Sequence, residues 1–176
     1  MKQSLALSVV IASLTACSGI EEVEVETATT ESAVHHSPPS AADQAFANDV
    51  ADAMVDRIVT LLFREFAVTT PANAAVGSAA ISNIFDNDNK SMRLVGDVDP
   101  LQNSNRPKDD FERDALAAAK AGNNFSRTER VNGRWYVRKS IAVATTFSPS
   151  CVHCHANFEG LANPWVGALM VRAKVE

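Results

Sequence analysis

At 176 residues, 46% of them hydrophobic, the chain has material for one well-formed core and too little for two large ones. Its 16 basic and 21 acidic residues leave a net charge of −5, so it lacks the cationic face that phosphate backbones require, and nucleic acid is excluded as an expected partner.

The chain opens with Lys2 and an apolar run from Leu5 to Ala16, too short to cross a bilayer and suited to the core of a signal peptide. The run ends in Leu14-Thr15-Ala16-Cys17, which resembles the lipobox of bacterial lipoproteins. That resemblance implies cleavage before Cys17, lipidation of Cys17 and a membrane partner through the anchor; several acyl chains, at about 0.8 kcal/mol per buried methylene, hold stably. Ser18 stands where an aspartate would signal retention in the inner membrane, which favours a periplasm-facing outer-membrane location in a Gram-negative-type bacterium. Ordinary cleavage with a free Cys17, or an uncleaved anchor, is the alternative. Removing residues 1–16 takes away Lys2 alone and leaves 15 basic against 21 acidic residues, a net charge of −6.

Residues 17–40 hold Glu21, Glu22, Glu24, Glu26, Glu31 and the run HHSPPS, with few large apolar side chains. Such a segment cannot bury enough surface to offset the entropy of ordering, so it reads as a solvated acidic tether, with a single domain over residues 41–176. From Ala42 to Ala67, Phe46, Val50, Met54, Ile58, Leu61, Leu62 and Phe66 recur at helical spacing and predict a long amphipathic helix. Thr70-Pro71 starts a second, alanine-rich helix, stopped by the turn-forming run Asp86 to Lys90. SMRLVGD is a short strand; a loop through Pro100 and Asn105 reaches Pro107; Asp109 and Asp110 open a third helix that ends at Gly122. Asn132-Gly133, between two runs rich in β-branched and aromatic residues, predicts a type I′ hairpin. Val166 to Val175 supplies a last strand. The order gives an α+β domain with an antiparallel sheet and no internal repeat.

Between hairpin and last strand stands Cys151-Val-His-Cys154-His155. A thioredoxin-like dithiol needs a surrounding βαβ unit, and only 22 residues follow Cys154. Zinc needs four ligands, and Cys151, His153, Cys154 and His155 cannot all close on one metal from so tight a run; His35 and His36 would have to fold back from the tether. A Cys151–Cys154 disulfide suits an exported protein and leaves His155 unexplained. One covalent haem c uses all three residues: Cys151 and Cys154 as thioether attachment points and His155 as the proximal iron ligand. His153, between the cysteines, points away from the iron and reads as solvated or supporting.

Asn105-x-Pro107, Phe111-Glu112 at an acidic helix start, the hairpin at Gly133, the late Cys151-x-x-Cys154-His155 and the closing Gly167-Ala168 strand resemble the Tll0287-like (DUF3365) family of single-haem proteins. The likeness runs from about Met92 to Lys174, with the earlier helices similar in kind. It implies a PAS-like fold, long N-terminal helices and a C-terminal haem-attachment turn. Two departures stand out. Leu101-Gln102-Asn103 replaces an Arg-Asn-Pro of relatives. An upstream cysteine that can be the second iron ligand in relatives has no counterpart, since the only other cysteine is Cys17. The distal position is then open or filled otherwise, with Met54, Met92 and Met170 as candidates and His35 and His36 behind them. Met54 also fits the core period of its helix, and Met170 an ordinary strand position. Arg93, Arg106, Arg134 and Arg138 are the pool for pairing with propionates, though each singly also reads as solvated charge.

A thioether ligand would suit electron transfer and an open site would suit a small ligand. The expectation is a redox or small-ligand sensor with a periplasmic redox or signalling partner; a periplasmic electron-transfer cytochrome is the alternative. A haem peroxidase-type enzyme would need a distal acid–base group, and no Arg–His pair can be placed there, so turnover is not expected.

Overall fold

The computed structural model describes residues 37–85, 91–98 and 105–176. The signal run, Cys17, the tether up to residue 36 with His35 and His36, the Asp86–Lys90 turn and the Leu101-Gln102-Asn103 departure lie outside the described residues.

Helix α1 covers Ala41–Val68. Ser40 caps it, accepting from the Asp43 amide at 3.1 Å, which satisfies one of the orphan donors of the first turn. Thr69 and Thr70 adopt extended backbone and end it, as expected for the residue that precedes a proline. A 3₁₀ turn at Pro71–Asn73 leads into α2, Ala74–Ile84. The Asn73 side chain accepts from the Thr70 amide at 2.6 Å and donates to the Val68 carbonyl at 2.9 Å, closing the corner. Gly77 sits against Thr69 so closely that a Cβ would lie 2.4 Å from its hydroxyl oxygen.

Strand β1 is Met92–Gly96, and α3 is Asp110–Lys120, capped by Asp109, which accepts from the Glu112 amide at 2.9 Å. Strands β2, Phe125–Val131, and β3, Arg134–Ala144, form the hairpin. Asn132 and Gly133 have φ of 50° and 81°, the two left-handed positions of a type I′ turn. A one-turn helix α4, Cys151–Cys154, follows, and then β4, Trp165–Lys174. The sheet is antiparallel, in the order β1-β4-β3-β2, so the α+β expectation holds with four strands among the described residues.

The last strand is central, not an edge. Leu169, Val171 and Ala173 face α1, and Ala168 and Met170 face α3 with Phe111, Ala115 and Ala119. Both faces of β4 are therefore apolar.

The stripe on α1 needs correction. Ala47, Ala51, Ile58 and Leu62 are buried with Met54, Val55 and Phe66 beside them, whereas Phe46 is 70% exposed and Val50 and Leu61 also face solvent. Residues 46, 50 and 61 lie one position, about 100°, away from the seating line. Alanines, whose small side chains allow close approach to the sheet, mark that line at its start.

The α3 face also holds buried charge. The side chains of Arg93 on β1 and Glu112 on α3 are both 2% exposed and approach to 2.7 Å. Glu112 also accepts from the Lys108 amide at 2.7 Å. Arg138 on β3 pairs with Asp109 at 2.9 Å and Glu129 at 2.6 Å, and its guanidinium lies 4.2 Å from the Phe111 ring centroid. Arg93 and Arg138 are thus neither solvated nor available for propionates. Removing one partner of a buried pair leaves an uncompensated charge and costs about 3–5 kcal/mol. Glu112→Ala is expected to lose that much unfolding free energy in urea titration, whereas Arg113→Ala, on the exposed side of α3, should lose less than about 0.5 kcal/mol.

Candidate functional site

Between β3 and β4 the chain makes a 3₁₀ turn at Thr145–Phe147, whose Phe147 ring stacks on Phe63 at 4.6 Å between centroids and meets Phe66 edge-on at 5.9 Å. These contacts hold the entry to the motif against α1. Ser150 then precedes α4, in which Cys151 and Cys154 stand three positions apart, the spacing that places two side chains on one face of a helical turn. The His155 amide still donates to the Cys151 carbonyl at 3.0 Å, but its own φ of −125° and ψ of 70° take it out of the helix. A second 3₁₀ turn, Ala156–Phe158, follows, and the Phe158 ring stacks on the His155 imidazole with centroids 4.5 Å apart and planes 10° apart.

Cys151, Cys154 and His155 all line one cavity of about 490 Å³. Phe66 and Thr69 at the end of α1 contribute one wall, and Ser78, Ile81 and Ser82 of α2 form another with Phe85, the residue that ends that helix. Those four recur at i, i+3, i+4 and i+7, a single helical stripe. Leu94, Val143, Val166 and Gly167 close the cavity from the sheet, with Asn105 beyond β1. At Gly167 a Cβ would lie 2.6 Å from the Val95 carbonyl oxygen, so β4 and its neighbour β1 approach there more closely than a side chain would allow.

Burial sets the electrostatics. It pushes the Cys151 thiol above its ordinary pKa, a shift that the backbone hydrogen bond from the Ser148 region only partly offsets. It holds His155 below the ordinary histidine value, because the imidazolium is poorly solvated there. The neutral ring, with a free nitrogen lone pair, is the form that binds a metal.

The structure thus brings together Cys151, Cys154 and His155. His153 is exposed and does not line the cavity. Neither do Met54 and Met92, packed against the α1-side core, nor Met170, 4% exposed on the α3 side. None of Arg93, Arg106, Arg134 and Arg138 lines it. Sequence reasoning missed Ser150, Phe158 and the α2 stripe. The stripe was readable from its period; the contacts of Ser150 and Phe158 depend on the folded path.

A family-implied haem can be tested against these residues. The volume lies in the range of small-molecule sites, the walls are largely apolar, and two thiols of one helical turn open into the cavity beside a neutral histidine. The residues fit a covalently held haem. Among the described residues no group of three or more His, Cys, Asp or Glu gathers around a bare metal ion.

A family model described as Tll0287-like: Tll0287 matches residues 16–166, and the chain belongs to that family. No curated protein matches the chain.

The two thiols differ in access, Cys154 being exposed and Cys151 half-buried with its thiolate disfavoured. In the reduced, haem-free chain, iodoacetamide is expected to label Cys154 several-fold faster than Cys151, as read by peptide mass spectrometry. Equal rates would show that the burial of Cys151 does not hold in solution.

Proposed function

Proceeding from membership of the Tll0287-like family, which suggests a haem-binding domain, we propose that the chain carries one covalent haem c and serves as a redox or small-ligand sensor. The observation that carries this reading is that Cys151, Cys154 and His155 all line the same largely apolar cavity. Cys151 and Cys154 are the attachment points, and His155 is the proximal ligand, kept neutral by burial and oriented by its stack on Phe158. When bound, haem supplies one redox-active iron whose behaviour follows from its axial ligands and the polarity around it.

The chain's own residues supply the rest. Phe66, Ile81, Phe85, Leu94 and Val143 give the cavity its apolar wall, and the hydroxyls of Ser78 and Ser82 are the polar groups that α2 offers to a small ligand. Sensing is favoured over electron carriage by the placement of Met54, Met92 and Met170, each taken up in packing away from the cavity. Turnover of a peroxidase type is disfavoured because Arg93 and Arg138 are committed to ion pairs on the opposite face of the sheet.

In the same reading the domain is a lipoprotein. Residues 1–16 are the signal peptide, Cys17 carries the lipid, residues 17–40 are the tether and residues 41–176 form the PAS-like haem domain facing the periplasm. The signal pattern and the Ser40 cap that opens α1 where the tether would end support that division.

Expression of the full chain with haem-attachment machinery tests this. The wild type is expected to gain the mass of one haem, and the double variant Cys151→Ala, Cys154→Ala to gain none. His155→Ala is expected to change the ferric spectrum. A wild-type chain without covalent haem would overturn the reading. A low-spin ferrous spectrum unaffected by carbon monoxide would keep the haem and remove the small-ligand sensor.

A further inference from the structure

The residue before Cys151 makes a contact that the functional reading leaves unused. Ser150 donates its hydroxyl to the Phe66 carbonyl at 2.9 Å, and the Thr69 carbonyl lies 3.2 Å away. Both acceptors belong to the C-terminal end of α1, more than 80 residues earlier in the chain. A helix ends with four carbonyls that have no partner within it. Here the Glu65 carbonyl accepts from the Thr69 hydroxyl at 2.8 Å, Val68 from Asn73 at 2.9 Å, and Phe66 from the Thr69 amide at 3.3 Å and from Ser150. The attachment turn thus contributes a second donor to the end of α1.

The backbone of Ser150 is itself fixed, its amide donating to the buried Ser148 hydroxyl at 3.2 Å. Ser150, Cys151, Phe66 and Thr69 all line the cavity, so this hydrogen bond joins two of its walls. A second contact ties the turn to the start of α2, the Cys154 thiol donating to the Ala74 carbonyl at 3.5 Å. That one needs an S–H, which a thioether does not have. The Ser150 contact does not depend on the state of either sulfur.

We propose that Ser150 is a positioning residue that seats the attachment turn on the end of α1 and thereby sets the orientation of His155. This rests on the haem c reading above. Ser150 acts through α4, whose Cys151 carbonyl accepts from the His155 amide. Through the same bond, the last turn of α1 responds to how the site is held.

The test compares full-length wild type, Ser150→Ala and Ser150→Thr, produced with haem-attachment machinery. The readouts are intact mass, the ferric electron paramagnetic resonance spectrum, and amide exchange at Thr69. Ser150→Ala is expected to keep its covalent haem, shift or broaden the ferric signals, and speed Thr69 exchange about fivefold, the equilibrium factor of one ordinary hydrogen bond. Ser150→Thr, which keeps the hydroxyl, should restore both. Unchanged ferric signals in Ser150→Ala would overturn the positioning role, even if exchange rises. Equal changes in the alanine and threonine variants would overturn the hydroxyl as the cause. If the wild type carries no haem, the haem c reading has failed on its own. Exchange in the haem-free chains then decides the contact, with an unchanged Thr69 rate overturning it.

Discussion

Strand β4 has no solvent face, and most of the architecture follows from that constraint. It pairs with β1 on one edge and β3 on the other, and it packs against α1 on one side and α3 on the other. Residues of both parities must then be apolar, which is why the segment from Val166 to Val171 is buried without interruption. Burying the whole strand requires covers on both faces, and the chain supplies them as α1 and α3, with α2 and β1 between them in sequence. The α1 cover is built on alanine, isoleucine and leucine. The α3 cover adds the buried ions Arg93, Glu112 and Arg138, whose mutual pairing offsets part of their desolvation and fixes the register of α3 on the sheet.

The cavity lies where this packing runs out. Leu94, Val143 and Gly167 come from adjacent strands, and the space above them is roofed by the end of α1, by α2 and by the turn that precedes β4. The corner between α1 and α2 depends on Gly77, which lets Thr69 approach α2 closely. The same Thr69 faces the cavity and helps to cap α1. One corner thus serves the helix end, the helix pair and the cavity wall together, and a shift in any of them is felt at Cys151.

Much of this was legible in the sequence because local rules governed it. Asn132-Gly133 allowed only a turn with two left-handed residues, Asp109 and Gly122 bracketed α3, and Pro71 ended α1 through the residue before it. What the sequence did not yield was set by contacts far apart in the chain. Large side chains dominate a hydrophobic pattern, so Phe46 and Leu61 pull the predicted stripe on α1 toward themselves, yet the helix seats on Ala47 and Ala51. Arg93 and Arg138 looked like surface charge because nothing in their own strands announced Glu112 and Asp109 across from them. At the site, three adjacent motif residues were readable as a unit. Ser150 was not, since its partners Phe66 and Thr69 lie on another element.

The charge distribution carries the last step. From Phe66 to Phe85 the chain has no Asp, Glu, Lys or Arg, and from Ser140 to Val171 only Glu159. These two stretches supply most of the cavity wall, so an acidic protein surrounds its site with nearly uncharged chain. The consequence is visible at His155, where desolvation accounts for the shift and no ion among the described residues favours either protonation state. At Cys151 desolvation is again the largest cause, and the other motif thiol is its charge partner among the described residues. Low polarity around a neutral imidazole keeps it able to act as a ligand at a lower pH than an exposed histidine would allow. The absence of charge that makes these segments featureless in a sequence scan is what makes them suitable walls for an apolar cofactor.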